Sequence, residues 1–257
     1  MCSNTCTVEK IYNFINDFAP YSLQEGYDNS GINVGDGEKE VKKILLALDV
    51  TNEVCDEAEK GKYDLIITHH PVIFRGLKSL DSKNAAVKLV KNDIAAISMH
   101  TNFDAAKGGM NDILCEKLGL VPAESLCVEN GVPMGYICEY DECTAKSLAE
   151  RAKKALGCRV VRYNDGEKIV KRVAVCSGSG GSFMKNAVSK TCDAYITGDV
   201  KHDIFIDAHN AGLSVIDAGH FYTENIFFDF LITKLKEKFS DIQISKAESN
   251  VDVVEVI

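Results

Sequence analysis

The sequence has no apolar run approaching the ~20 residues of a membrane-spanning helix, so no membrane association is expected. It has no basic excess either: 29 Lys and Arg stand against 38 Asp and Glu, a net charge of −9. A chain of that sign is not expected to bind nucleic-acid backbone in general. A nucleotide substrate stays open, because bound cations can supply positive charge locally. The opening residues, Met1 to Cys6, lack a basic stretch leading into an apolar one, so a secretory signal is not expected. The 10 cysteines lack paired zinc-finger spacing; the closest pairs are Cys2 with Cys6 and Cys138 with Cys143. Scattered thiols without a signal peptide point to a reduced, cytoplasmic protein. There is no repeat of short fixed period and no low-complexity segment.

What the chain does contain is an alternation of buried strands and amphipathic helices. Its 257 residues, 46% hydrophobic and 26% charged, fit one large α/β domain or two smaller ones. Val8, Ile11, Phe14, Ile15 and Phe18 recur at helical spacing before Pro20. The apolar runs 44–50, 65–68 and 94–98 read as strands buried on both faces, with helices at 52–59 and 82–91 between them. Such alternation predicts βαβ units and a largely parallel sheet. Helix 111–118 follows. After about residue 121 the pattern changes: a hairpin at 124–140, a helix at 144–156, short strands at 159–163, 172–176, 194–197 and 213–216, and helices at 183–189 and 201–210. A long helix to about residue 239 and a last strand at 242–245 close the chain. The expected division is 1–123 for a first α/β lobe and 124–257 for a second, with a return to the first lobe near the C-terminus left open.

Four of the six histidines, His69, His70, His100 and His220, fall at or just past the ends of these strands. In open α/β sheets ligands bind outside the carboxyl ends of strands. Inside a strand His69 and His70 would point to opposite faces, but at a strand end before Pro71 that restriction lifts. Two neighbouring imidazoles then suit two neighbouring metal ions; ordinary loop hydrogen bonding is the simpler alternative. His220 and Glu224 lie one helical turn apart if the chain is helical there, a common half of a metal site. Asp104 and Glu224 are the carboxylates able to bridge two cations. The set His69, His70, Asp104, His220 and Glu224 offers nitrogen and oxygen without thiolate, which suits Zn, Fe or Mn. Two such ions hold a bridging hydroxide for hydrolysis. His100 and His202 are the acid–base candidates beside Glu224, His202 also being placed to act from behind the site.

Two loops carry weaker signals. Residues 26–35, rich in Gly, Asn, Asp and Ser, read as a connector or as a rim presenting Asp28 and Asn29 to a substrate. Residues 177–182, Ser-Gly-Ser-Gly-Gly-Ser, read as a turn or as a phosphate cradle, without the pattern of a P-loop.

Six segments carry a resemblance: Tyr27-Asp-Asn-Ser-Gly-Ile-Asn-Val-Gly35, Leu48-Asp-Val-Thr51, Thr68-His-His-Pro71, His100-Thr-Asn-Phe-Asp104, Thr197-Gly-Asp199 with His202, and Asp217-Ala-Gly-His-Phe-Tyr-Thr-Glu224. In this order, over nearly the whole chain, they resemble the GTP cyclohydrolase 1 type 2 homologues, also called the NIF-three-like or dinuclear metal-centre family. The resemblance implies a two-lobed α/β fold with mixed and parallel sheets flanked by helices and a dinuclear metal site in the cleft between lobes. It implies two divalent metals held by His69, His70, Asp104, His220 and Glu224, with Glu224 touching both, and a homohexameric ring. It moves Asp28 and Asn29 from connector to site rim. It implies hydrolysis of a small-molecule substrate, GTP or another nucleotide or a related heterocyclic or phosphorylated compound. A non-enzymatic, metal-binding regulatory oligomer engaging protein partners is the alternative. Tyr27 departs from the tryptophan usual in the family. No long insertion separates the halves.

Overall fold

In the computed structural model, residues 5–129 and 131–257 are described. Cys2 and the start of the opening segment lie outside them. The chain runs α1 (Val8–Phe18), β1 (Gly31–Val34), β2 (Lys43–Ala47), α2 (Asn52–Gly61), β3 (Leu65–Thr68), α3 (Ala85–Lys91), β4 (Ala95–Ser98) and α4 (Thr101–Ala105). It continues with α5 (Met110–Leu118), β5 (Val121–Glu129), β6 (Val132–Thr144), α6 (Ala145–Leu156), β7 (Arg162–Tyr163) and β8 (Ile169–Val175). Then come α7 (Met184–Ser189), β9 (Ala194–Thr197), α8 (His202–Asn210), β10 (Ser214–Asp217), α9 (His220–Glu224), α10 (Phe228–Lys238) and β11 (Gln243–Lys246). Among the described residues no helix is long and apolar enough to cross a membrane.

Two compact units result. One comprises the chain up to Ala106 together with Phe228–Val253, the other Lys107–Phe227 with Val254–Ile257. Where the sequence pattern divides the chain at residue 123, the units divide after Ala106. Helix α5 belongs to the second unit because Leu114, Cys115 and Leu118 pack with Leu148 and Ala152 of α6. The chain returns to the first unit at Phe228, contributing α10 and β11.

The first unit holds a mixed five-stranded sheet in the order β1-β4-β3-β2-β11. Strands β11, β2, β3 and β4 are parallel, and β1 closes the edge antiparallel to β4. Leu65, Ile66 and Ile67 of β3 are fully buried, each stabilising the fold by roughly 1.5–3 kcal/mol. Side-chain oxygens of Thr7, Thr51 and Asn84 cap α1, α2 and α3 by accepting backbone N–H groups. β1 lies inside the stretch read from sequence as a loop. The glycines of that stretch lower strand propensity, and Gly35, just past β1, has a packing cause: a Cβ there would sit 2.7 Å from Ala95 Cβ.

The second unit holds a six-stranded mixed sheet in the order β5-β6-β8-β9-β10-β7. β8, β9 and β10 are parallel and the other pairings antiparallel. Val215 of β10 and Tyr195 of β9 are fully buried, with Leu126, Met184 and Leu213 among the residues of their cluster. Tyr195 donates its hydroxyl to the Gly180 carbonyl at 2.7 Å, which ties loop 177–182 to the sheet. The single long helix expected after His220 is instead two, α9 ending at Glu224 and α10 starting at Phe228. No Gly or Pro marks the break, so the helical periodicity runs through it unseen.

Candidate metal centre

In the first unit, parallel strands β3 and β4 end beside one another, which brings their trailing histidines together. His69, His70 and His100 each offer a ring nitrogen within 4.8 Å of the others. His69 is fully buried. Asp104, on α4, has Oδ1 3.7 Å from His69 Nε2.

Each imidazole is held from behind. His69 Nδ1 donates to the Met99 carbonyl at 2.8 Å, which fixes its tautomer because a carbonyl only accepts. His70 Nδ1 donates to Asp49 at 2.8 Å and His100 Nδ1 to Asp28 at 2.7 Å. In the second unit His220 Nδ1 donates to Asp199 at 2.8 Å. All four rings therefore present Nε2 as the atom with a lone pair. Orientation of histidine through its other nitrogen, most often by a carboxylate or carbonyl, is the arrangement around metal-ligating imidazoles.

His220 and Glu224 share α9, with Nε2 and Oε2 2.9 Å apart. Since Nδ1–H is given to Asp199, a neutral His220 turns a lone pair toward a carboxylate oxygen. His69 Nε2 meets Asp104 Oδ1 in the same way. Two acceptors face each other in both places, and a cation or a shared proton resolves the repulsion. The residues present thus fit divalent metal ions, by donor type and by orientation.

The backbone around His220 and Glu224 is shaped for them. Gly178 has φ +60, and a Cβ there would lie 2.1 Å from Glu224 Oε1. A Cβ at Gly198 would lie 2.5 Å from the His220 backbone nitrogen. Asp199 itself holds φ 53, unusual for a residue with a side chain, and it does so while accepting from His220. Loop 177–182 is a buttress for this pair, and three of its amides are used internally: Ser177 N donates to Asn111, Gly178 N to Thr223 and Gly180 N to Thr197.

Asp28, expected at a substrate rim, sits behind His100. Its side chain is buried and accepts from His100 Nδ1, the Thr101 backbone and hydroxyl, the Ser30 hydroxyl and the Asn29 backbone. Burial alone would raise its pKa. The hydrogen bonds from His100, Thr101 and Ser30, with the His100 charge, outweigh burial and hold the carboxyl well below the usual range. Asn29 is exposed and donates its amide to the Ile73 carbonyl at 2.6 Å. His202 opens α8, is exposed, and makes no hydrogen bond among the described residues. His209, on α8, is exposed and donates to Asp165. The histidine-holding roles of Asp49 and Asp28 escaped the sequence reading, as did that of Asp199. Their signal was present: Asp49 and Asp199 each follow a buried strand end, as the histidines do.

Mixed α/β sheets flanked by helices, with histidines and carboxylates at their strand ends, define an α/β protein with a metal-type donor set. The chain belongs to the family described as Duf34/NIF3 (NGG1p interacting factor 3), whose sequence profile matches residues 6–252. A Clostridium perfringens relative named GTP cyclohydrolase 1 type 2 homolog is 37% identical over 257 residues, 96% of this chain and 98% of the relative. A Helicobacter pylori protein named GTP cyclohydrolase 1 type 2 is 33% identical over 244 residues, 88% of this chain and 94% of that protein. Among solved structures, the Staphylococcus aureus hypothetical protein SA1388 superposes with a TM-score of 0.91 at 26% identity, covering 99% of this chain and 100% of that one.

Proposed function

We propose that this chain is a dinuclear divalent-metal hydrolase acting on a nucleotide or a related heterocyclic or phosphorylated compound. The carrying observation is the orientation of the four histidines: each gives Nδ1–H to an oxygen behind it, and His69 and His220 turn Nε2 toward a carboxylate. His69, His70, Asp104, His220 and Glu224 would hold the ions, of Zn, Fe or Mn type by donor chemistry. Bound there, the ions supply Lewis acidity and lower the pKa of a coordinated water toward neutrality.

The remaining roles belong to the chain's own groups. Asp49 and Asp199 fix His70 and His220 in one tautomer. His100, held by the buried Asp28, keeps Nε2 available to take or give a proton beside His69 and His70. Phe74 packs edge-on against the His100 ring with centroids 5.8 Å apart, limiting water on that side. The names of relatives make GTP ring opening the first reaction to assay. A homohexameric, cytoplasmic enzyme goes with this reading, and light scattering of the purified protein checks its mass.

The test is formate release from GTP, alongside a panel of nucleotides and phosphoesters, with the metal-loaded protein and Glu224→Ala. Turnover abolished in Glu224→Ala, with circular dichroism unchanged, supports the proposal. No turnover of any compound by protein that carries its metals returns the chain to the non-enzymatic reading, a metal-binding regulatory oligomer.

A further inference from the structure

Beside the histidine cluster, the first unit exposes a stretch that neither core nor cluster accounts for. Every residue from Phe74 to Lys83 is exposed. Phe74 packs edge-on to His100 yet remains 40% exposed, and Tyr27, 65% exposed, packs edge-on to Phe74 at 6.2 Å between centroids. The Asn29 amide, donating to the Ile73 carbonyl, fastens the Tyr27 loop to the Phe74 segment, so the two rings share one rim. Large exposed aromatics lose free energy to water unless a ligand covers them, and a ring face accepts any flat π-system.

Charge adds a second feature. The protein is acidic overall, and other cations of the first unit, such as Lys39, Lys42 and Lys88, are ion-paired. Arg75 and Lys78, on the same exposed stretch as Phe74, make no ion pair or hydrogen bond among the described residues. Unpaired cations following an exposed aromatic at the edge of a histidine cluster match one ligand chemistry: a flat aromatic ring carrying an anionic group.

We propose that Tyr27, Phe74, Arg75 and Lys78 form a recognition rim for such a ligand, the aromatic pair covering its ring and the two cations its anionic group. The inference rests on the reading of the neighbouring histidines as the reaction site, and it names the residues of this chain that choose the substrate.

The probes are GMP, guanosine and inorganic phosphate, titrated calorimetrically into the purified protein, with metal content measured on the same samples. GMP binds most tightly. Phe74→Ala weakens GMP and guanosine alike by about tenfold, the size of one lost base–aromatic stack. Tyr27→Ala does the same to a smaller extent. The pair Arg75→Ala with Lys78→Ala weakens GMP and leaves guanosine unchanged, and it flattens the salt dependence of GMP binding. All these side chains are exposed, so metal content and melting temperature stay at wild-type values. GMP bound equally by wild type and Phe74→Ala overturns the proposal, as does wild-type protein that binds none of the three probes. GMP binding that depends on Phe74 in protein without metal leaves the rim standing and sinks the dinuclear reading. Metal-loaded protein indifferent to Phe74 does the reverse.

Discussion

Gly178 and Glu224 are fitted so closely that a β-carbon at position 178 would stand 2.1 Å from the Glu224 carboxylate oxygen and 3.3 Å from His220 Nε2. Real β-carbons do not approach that near, so the carboxylate occupies space that only glycine leaves. The glycine-rich loop after β8 thereby sets where Glu224 can point. Three of its amides, spent on Asn111, Thr223 and Thr197, hold the loop in place for that purpose.

Replacing Gly178 separates this contact from simple backbone strain. Gly178→Ala and Gly157→Ala both put a side chain at positive φ, at an expected cost of roughly 1–2 kcal/mol. Nothing lies within 4 Å of the Gly157 position, so only Gly178→Ala also displaces Glu224. Gly178→Ala loses at least as much stability as Gly157→Ala in urea denaturation, and only Gly178→Ala loses divalent-metal binding. Equal metal binding in the two would mean the carboxylate relaxes without consequence.

Asp49 and Asp199 act through the imidazoles they hold. Asp49→Ala and Asp199→Ala each weaken divalent-metal affinity about 10–100-fold, measured by competition with a chromophoric chelator. Asn at either position keeps an acceptor for Nδ1–H and recovers part of the loss. Wild-type affinity in the alanine variants would contradict the orienting role.

Much of this was legible in the sequence, for identifiable reasons. Runs such as Leu65 to Thr68 are apolar on both faces, so parallel strands and the histidines at their ends could be read directly. The pairing of His220 with Glu224 follows from a spacing of one helical turn. The role of Asp28 was not legible, because it meets its histidine from a loop far away in the chain, whereas Asp49 follows a buried strand as the histidines do and could have been read. Strand β1 was hidden by the glycines around it, of which Gly35 serves close packing against Ala95, and the break before Phe228 carries no helix-breaking residue.

Acid sensitivity follows from Asp28. Its folded pKa is depressed, so its contribution to stability is complete above the unfolded carboxyl pKa, about 3.9. That contribution fades as pH falls below this value toward the folded one. Asp28→Asn is therefore less stable than wild type at pH 7, by about 2 kcal/mol for weakened charge-assisted hydrogen bonds. The gap narrows on acidification below about pH 4. Urea unfolding of both proteins across that range checks the sign; a gap that widens in acid contradicts it.

The buried thiols are predicted to be inert in the native state. Burial pushes Cys55, Cys158 and Cys192 up to about 11, and the thiolate is the nucleophile. Alkylation at pH 7.5, followed by peptide mass spectrometry, modifies these three at least about a hundredfold more slowly in native than in urea-unfolded protein. Comparable rates would show that the thiols are reached without unfolding.

The central claim is that His69, His70, Asp104, His220 and Glu224 hold two divalent ions. Elemental analysis of the purified protein beside His70→Ala and Glu224→Ala, all confirmed folded by circular dichroism, tests it most directly. The account predicts close to two ions per wild-type chain and a marked loss in each variant. Wild-type protein that takes up no metal under several loading conditions, or variants that keep the full complement, would contradict it.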